Sequence, residues 1–154
     1  MLNRVAFQSA TKHNDAPDIG FALGEVACTV GFFDGVHRGH QYVLQTLRTA
    51  AQQLALPTVA VTFAQHPRSL VSQTTPPPAL TTLDEKIERM GACHIDAVAV
   101  LNFTPKMARL SAQEFMAQVL REGLGARFLL MGYDHRFGRP KADEGFADYV
   151  RYGA

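Results

Sequence analysis

The sequence predicts an α/β protein whose parallel sheet is covered by helices on both faces. Short apolar runs rich in β-branched residues alternate along the 154 residues with longer segments of helical period. The strand-like runs are apolar almost without interruption, which is typical of strands buried on both faces of a parallel sheet. Right-handed crossovers between such strands give a doubly wound, Rossmann-like arrangement.

The first half of the chain contains two predicted strands joined by one helix. The run Val26–Phe33 is a buried strand that ends at Asp34–Gly35. The helix spans about His40–Leu54, because apolar residues recur there at helical spacing on one face. The run Thr58–Ala64 then forms the second strand.

The second half repeats this pattern after a proline-rich loop at Ser72–Thr81. Its two predicted helices open with capping boxes at Thr82–Glu85 and Ser111–Glu114, where a hydroxyl and a carboxylate accept from N–H groups of the helix start. The remaining predictions are strands at Ile95–Leu101 and Arg127–Met131, a stop of the second helix at Gly123 and Gly125, and a short helix after Asp143.

The composition predicts one soluble domain that spans residues 1–154 and acts in the cytoplasm. A formal net charge of +1 provides no overall attraction to nucleic acid or an anionic membrane, and neither is expected as a partner. Cys28 and Cys93 lack a C-x-x-C spacing, so free thiols are expected. The sequence shows no signal-peptide pattern and no run of roughly 18–20 apolar residues.

Loops that follow the predicted strands carry most of the unusual residues. Ligands of doubly wound sheets bind beyond the carboxyl ends of the strands. We therefore expect these loops to converge on one edge of the sheet: Asp34–His40, Gln65–Arg68, Asn102–Lys106 and Tyr133–Gly138.

The segment Gly31–His40 has the strongest chemical signal in the sequence. Its three glycines allow tight bends and close approach of a ligand to the backbone (Gly31, Gly35 and Gly39). The segment leads into a helix N-terminus, whose free N–H groups and positive dipole end favour phosphate. His37 and His40 are predicted to face the same anion and to donate hydrogen bonds to phosphoryl oxygens. The competing interpretation is that both histidines only cap the helix.

Five segments resemble the FMN adenylyltransferase (FAD synthetase) domain of bacterial bifunctional riboflavin kinase/FAD synthetases, within the H-x-G-H nucleotidyltransferase superfamily. They are Gly31–Gln41, Thr62–Arg68, Thr82–Met90, Leu110–Phe115 and Gly132–Gly138. The resemblance implies transfer of AMP from ATP to FMN, with FAD and pyrophosphate as products and Mg²⁺ as the accompanying ion. In the family a riboflavin kinase domain usually follows.

The resemblance also implies roles for individual residues. His37 and His40 would contact the triphosphate as the catalytic pair. The nucleotide would lie against Gly31, Phe32, Phe33, Asp34, Gly35 and Gly39. The FMN side would comprise His66, Pro67, Arg68, Asn102, Asp134, Arg136, Phe137 and Gly138, with Asp134 also the candidate for the metal. For Asp34 itself, bonding of turn N–H groups is favoured over metal ligation.

Two departures from the family pattern leave alternatives open. Position 135 is His135 where the family often has Phe, and the later arginine-bearing segment and the kinase barrel are absent from the sequence. We expect a domain truncated at its C-terminus. The alternatives are another H-x-G-H adenylyl- or cytidylyltransferase, or a catalytically silent module that binds a nucleotide or flavin. An NAD dehydrogenase is disfavoured because no G-x-G-x-x-G follows the first strand.

Overall fold

The computed structural model describes residues 3–7, 23–64, 78–132, 138 and 146–153, the first of these ranges by its backbone alone. Five strands form one sheet, in which every recorded pairing is parallel. The strands are β1 Asn3–Phe7, β2 Val26–Val30, β3 Thr58–Phe63, β4 Ala97–Leu101 and β5 Ala126–Leu130. The predicted parallel α/β class is therefore confirmed.

The strand order is β1-β4-β3-β2-β5. From β2 the chain steps outward through β3 to β4, and it then returns to the opposite side of β2 with β5. Such a reversal of direction defines the switch point at which doubly wound sheets bind ligands. The loop that leaves the carboxyl end of β2 therefore lies where a ligand is expected.

The sequence pattern did not predict β1, which pairs with β4 from Asn3↔Ala97 to Phe7↔Leu101. Its five residues, NRVAF, are too short and too mixed in polarity to stand out as a buried run. The pairing with β4, which lies about ninety residues further along the chain, selects the extended conformation.

The helical segments begin close to the predicted positions. A 3₁₀ turn at Asp34–Val36 leads to α1 Arg38–Leu54, and α2 Leu83–Ala92 and α3 Pro105–Ala108 follow. Next, α4 Ala112–Glu114 continues as a π-helix through Phe115–Leu124, and α5 is Phe146–Gly153. No helix in the described ranges is long and apolar enough to cross a bilayer.

Both predicted capping boxes are present. The Thr82 hydroxyl accepts from the Glu85 N–H, and the Glu85 carboxylate accepts from the Thr82 N–H at 2.9 Å. Ser111 and Glu114 form the same reciprocal pair. These caps depend only on residues three positions apart, and for that reason the sequence alone revealed them.

One predicted helix stop is wrong. Gly123 lies inside the π-helix, and only Gly125 ends it, with φ of 79°. A side chain at Gly125 would collide with the carbonyl oxygen of Gly24, so both the backbone angle and the close approach require glycine there. Gly123 does not have a positive φ, so its backbone continues the helix.

Two apolar clusters lie on the two faces of the sheet. On one face, Ala27, Ala60 and Val98 of the strands pack with Leu44 and Leu47 of α1 and Met90 of α2. On the other face, alternate strand residues pack with Phe115, Val119 and Leu120 of the π-helix and Tyr149 of α5. The prediction of helices on both faces is confirmed.

Candidate active site

The turn after β2 has an unusual backbone. Phe33, Gly35 and Val36 adopt φ values of 55°, 75° and 43°, in the left-handed region that β-branched and bulky residues rarely enter. The side chains of Phe33 and Val36 are nevertheless only 4% and 2% exposed. Their burial between the sheet and α1 stabilises a conformation that is locally unfavourable, as is common at functional sites.

Hydrogen bonds from the loop before α2 hold one side of this turn. The Asp34 carboxylate accepts from the N–H groups of Leu80 at 2.9 Å and Thr81 at 3.1 Å, and Gly35 donates its N–H to the Thr81 hydroxyl. Burial would raise the pKa of Asp34, but these bonds, the Thr81 hydroxyl and the charge of Lys86 together hold it below its usual value. Asp34 therefore has the structural role that its sequence position favoured.

Two longer side chains donate hydrogen bonds to backbone carbonyl oxygens of the turn. Arg89 of α2 donates to the carbonyl oxygen of Gly35 at 3.0 Å, and Gln41 of α1 donates to that of Val36 at 3.0 Å. The turn is thus fixed by residues from both neighbouring helices, and none of these contacts was predicted from the sequence.

Lys86 is a further member of the site that sequence reasoning missed. Its Nζ donates to the carbonyl oxygens of Phe32 at 2.8 Å and Phe63 at 3.3 Å, and it lies 4.0 Å from the centre of the Phe32 ring. The sequence contains a pattern that could have identified it. Lys86 falls on the same face of α2 as Leu83 and Met90, where the helical period predicts an apolar residue.

Glycine is favoured at the three motif positions Gly31, Gly35 and Gly39 for different structural reasons. Of the three, only Gly35 has a positive φ. A Cβ at Gly31 would come within 3.1 Å of the Phe33 ring, and one at Gly39 within 3.1 Å of the His37 ring. The predicted tight bend is therefore found at Gly35, while the other two glycines make room for side chains of the same turn.

His37 caps α1 through its side chain. Its Nδ1 accepts from the N–H groups of Gly39 at 3.1 Å and His40 at 3.4 Å. An acceptor Nδ1 carries no proton, so the neutral ring holds its proton on Nε2 as a donor. The Gln41 N–H donates to the His37 carbonyl oxygen, so the first-turn N–H groups at positions 39–41 are already bonded, contrary to the expectation of free donors. The helix dipole remains.

His40 stacks on His37, with ring centroids 3.6 Å apart and an interplanar angle of 21°. The ring of Phe33 meets it edge-on at 5.3 Å, and its Nδ1 is buried without a hydrogen-bond partner in the described ranges. Burial, together with the charges of His37 and Lys86 and opposed by Asp34, lowers the pKa of His40 to about 4. His40 is therefore neutral at physiological pH.

The remaining predicted residues divide into two groups. Asn102 is exposed directly after β4, on the same sheet edge as the turn, and Gly138 packs against the backbone of Ser111 and Ala112 so closely that no Cβ would fit. The residues that lie outside the described ranges are His66, Pro67, Arg68, Asp134, His135, Arg136 and Phe137. Of the four loops expected to converge, those that follow β2 and β4 leave the same edge of the sheet, while 65–68 and 133–137 lie outside the described ranges.

The cysteines take no part in this arrangement. Cys28 and Cys93 are both free thiols, as expected. Burial raises the pKa of Cys28 to about 12, so that thiol stays protonated inside β2. Within the part of the chain that the structure describes, no group of three or more His, Cys, Asp or Glu residues is placed to hold a metal ion.

The turn lies at the switch point of the sheet and leads into a stacked pair of histidines. This arrangement is consistent with the family that the five sequence segments resemble. The sequence model of the FAD synthetase family matches residues 22–153. The chain belongs to the FAD synthetase family. The match begins before β2 and ends in α5, so it includes the turn, both histidines and Lys86.

Curated relatives share this part of the chain. The chain is 38% identical over 128 residues to the bifunctional riboflavin kinase/FMN adenylyltransferase of Escherichia coli strain K12, covering 82% of this chain and 39% of that protein. It is 40% identical over 110 residues to the protein of the same description from Pseudomonas fluorescens, covering 71% and 35%. The chain thus spans less than two-fifths of the length of these relatives.

A solved structure shares the fold. A protein from Streptococcus pneumoniae, described as a macrolide-efflux protein, superposes with a TM-score of 0.76 over 98% of this chain and 48% of that one. The two sequences are 24% identical, so the likeness concerns the fold alone. It supports the doubly wound arrangement of this FAD synthetase family member.

Proposed function

We propose that this chain transfers AMP from ATP to the phosphate of FMN and releases FAD and pyrophosphate. The observation that carries the proposal is the clamped turn at the switch point of the sheet, which presents the stacked rings of His37 and His40 beside the start of α1. The name FMN adenylyltransferase, borne by the curated relatives, supports the choice of acceptor.

In the proposed reaction an oxygen of the FMN phosphate attacks the α-phosphorus of ATP. The bond from that phosphorus to the oxygen bridging to the β-phosphate breaks, and pyrophosphate leaves with its electron pair. The FMN phosphate is itself the nucleophile, so no covalent enzyme intermediate is needed. The chain contributes position and charge stabilisation, which are the main protein contributions to phosphoryl-type transfer.

We propose different tasks for the two histidines. His37 directs its Nε2–H away from α1, because its Nδ1 is held by the helix N–H groups. His40 stays neutral near pH 7, since its pKa is about 4, and so it acts as a hydrogen-bond donor rather than a proton source. Neutral donors of this kind stabilise charge that grows on phosphoryl oxygens as the bond breaks.

Mg²⁺ would neutralise charge on the triphosphate in this reaction. Asp34 does not fit as its ligand, because the carboxylate already accepts from the Leu80 and Thr81 N–H groups and from the Thr81 hydroxyl. Asp134 remains the proposed metal residue from the sequence and lies outside the described ranges. No step of the proposal depends on the ion.

The flavin side and the setting of the reaction also belong to the proposal. We assign FMN binding to Asn102 and Gly138 and to residues outside the described ranges, namely His66, Pro67, Arg68, Asp134, Arg136 and Phe137. ATP and FMN are the proposed small-molecule partners, in the cytoplasm, without nucleic acid or membrane. The bifunctional relatives indicate a riboflavin kinase as the activity that supplies FMN.

A panel of acceptors tests this function. The chain is incubated with ATP and Mg²⁺ and with FMN, pantetheine phosphate, nicotinate mononucleotide or a polyol phosphate, and the products are separated by chromatography while pyrophosphate is measured. We expect FAD and equimolar pyrophosphate with FMN alone. Adenylylation of pantetheine phosphate but not FMN would overturn the choice of acceptor. Calorimetric binding of ATP and FMN without product would identify a silent binding module.

A further inference from the structure

Lys86 is the one charged residue that is buried in the described ranges, with 3% of its surface exposed. Removal of an ammonium group from water carries a large free-energy penalty unless nearby groups compensate. Exchange for an apolar residue would relieve this penalty, since Leu83, Ile87 and Met90 surround it on the same face of α2. The placement of a cation here therefore calls for a reason beyond packing.

The contacts of Lys86 join the carboxyl ends of two neighbouring strands. Its Nζ donates to the carbonyl oxygen of Phe32, just after β2, and to that of Phe63, the last residue of β3. The Thr62 hydroxyl donates to the same Phe32 oxygen at 2.9 Å. These bonds hold the residue that precedes the left-handed Phe33, so they fix the direction in which the chain enters the turn.

The charge of Lys86 complements the neutral ring of His40. His40 is uncharged near pH 7, so its ring adds no positive charge at the turn, and the cation of Arg89 that donates to the Gly35 carbonyl is exposed to solvent. The ammonium of Lys86 lies close enough to influence both His40 and Asp34. A buried charge acts more strongly than an exposed one, because less water screens it.

We propose that Lys86 is a positioning residue of the adenylyl-transfer site, which ties the ends of β2 and β3 beneath the turn and supplies a fixed positive charge for the triphosphate. This inference rests on the proposed function. Lys86 acts through the backbone of Phe32 and through its field, and it need not touch the substrate.

The pH dependence of the reaction provides a specific signature. Burial, opposed by Asp34, lowers the pKa of Lys86 to about 8. The charged or titratable groups that interact with it in the described ranges are Asp34 from the turn and His40 from α1, while Phe32 after β2 and Phe63 of β3 contribute carbonyl oxygens. We expect kcat/KM for ATP, which reports free-enzyme pKa values, to fall as pH rises through about 8. Bound triphosphate favours the charged form, so kcat should fall less.

The test compares Lys86→Met, which removes the charge, with Lys86→Arg, which keeps it. Arg48→Met is the matched control, because Arg48 is an exposed cation on a different helix, α1. For Lys86→Met we expect kcat/KM for ATP to fall about 10- to 100-fold, as for small misplacements of a site. KM for FMN should change less than about threefold on the same reasoning. Lys86→Arg should recover part of the activity, and its kcat/KM for ATP should no longer fall as pH rises through about 8. Arg48→Met should behave like wild type.

Circular dichroism and thermal melting establish which variants fold. If Lys86→Met does not fold, the test is the fall in kcat/KM near pH 8 in wild type and the loss of that fall in Lys86→Arg. The inference would be overturned if Lys86→Met had the kcat/KM of wild type, or if the fall in kcat/KM near pH 8 were unchanged in Lys86→Arg. If wild type forms no FAD, the proposed function fails, and ATP binding by calorimetry then compares the variants. Equal affinity in wild type and Lys86→Met, or no binding by wild type, would overturn the role of Lys86.

Discussion

The imidazole rings of His37 and His40 stack with centroids 3.6 Å apart, while the Nδ1 of His37 caps the helix that carries His40. His37 therefore orients the ring of His40 in two ways: it caps the helix that carries His40, and its own ring stacks directly on that of His40. The two sequence interpretations, a helix cap and a pair of phosphate donors, are compatible for His37. For His40 the cap interpretation is wrong, because its Nδ1 has no hydrogen-bond partner in the described ranges.

Two substitutions of His37 separate its cap from its proposed chemistry. His37→Ala should lower the free energy of unfolding by about 1 kcal/mol, the usual loss for a helix N-cap. His37→Asn should restore most of that stability, because asparagine is a good N-cap residue. Both variants lose the Nε2 donor, so FAD formation should fall in both. Urea unfolding and FAD chromatography check this, and wild-type FAD formation by His37→Asn would reduce His37 to a cap.

His40→Ala addresses the proposed stabilisation of phosphoryl charge. The rate at saturating ATP and FMN should fall by roughly two to three orders of magnitude, by analogy with the loss of one oxyanion donor. FMN affinity, measured by calorimetry, should change far less, since the assigned contact is to the triphosphate. If FMN binding collapsed while the rate at saturation held, the assigned role would be wrong.

The depressed pKa of His40 predicts a pH-dependent stability. The folded pKa is about 4 and the ordinary value is 6.5, so the unfolded chain binds more protons between these two values. The contribution of His40 to stability should be complete above about pH 6.5 and should be lost as pH falls toward 4. Urea unfolding at pH 7, 6 and 5 measures it.

His40→Phe is the comparison, because its ring retains an edge for Phe33 and does not titrate. The stability of wild type relative to this variant should decline between pH 7 and 5, whereas Asp34, whose pKa is below its usual value, acts only in more acidic solution. Parallel pH curves for wild type and His40→Phe would contradict the pKa assignment.

Gly35→Ala tests the left-handed turn. The substitution should lower the free energy of unfolding by about 1–2 kcal/mol, because a Cβ disfavours this conformation. The new Cβ would also approach Leu80 at 3.2 Å. Gly153→Ala is the control, since its Cβ would make an ordinary 3.6 Å contact with Met116. Equal thermal stability of the two variants would show that the turn does not require glycine.

Patterns confined to a few neighbouring residues determined much of this protein from sequence alone. The alternation of strands and helices, the capping boxes at Thr82 and Ser111 and the H-x-G-H segment were all readable, because each depends on residues within one turn or one strand. The family followed from the order of such segments. Element ends were less accurate: β2 ends at Val30 rather than Phe33, because the Phe32 carbonyl bonds side chains instead of a strand.

Only the tertiary structure decided which distant segments meet. The addition of β1 beside β4, the reversal of strand order at β2 and the contacts of the turn all join residues far apart in the chain, with Asp34 and Thr81 separated by 47 positions and Phe32 and Lys86 by 54. Periodicity records which side of an element is buried, but it does not record the partner that buries it. The charge states of His40 and Lys86 have the same origin, because desolvation depends on the assembled neighbours.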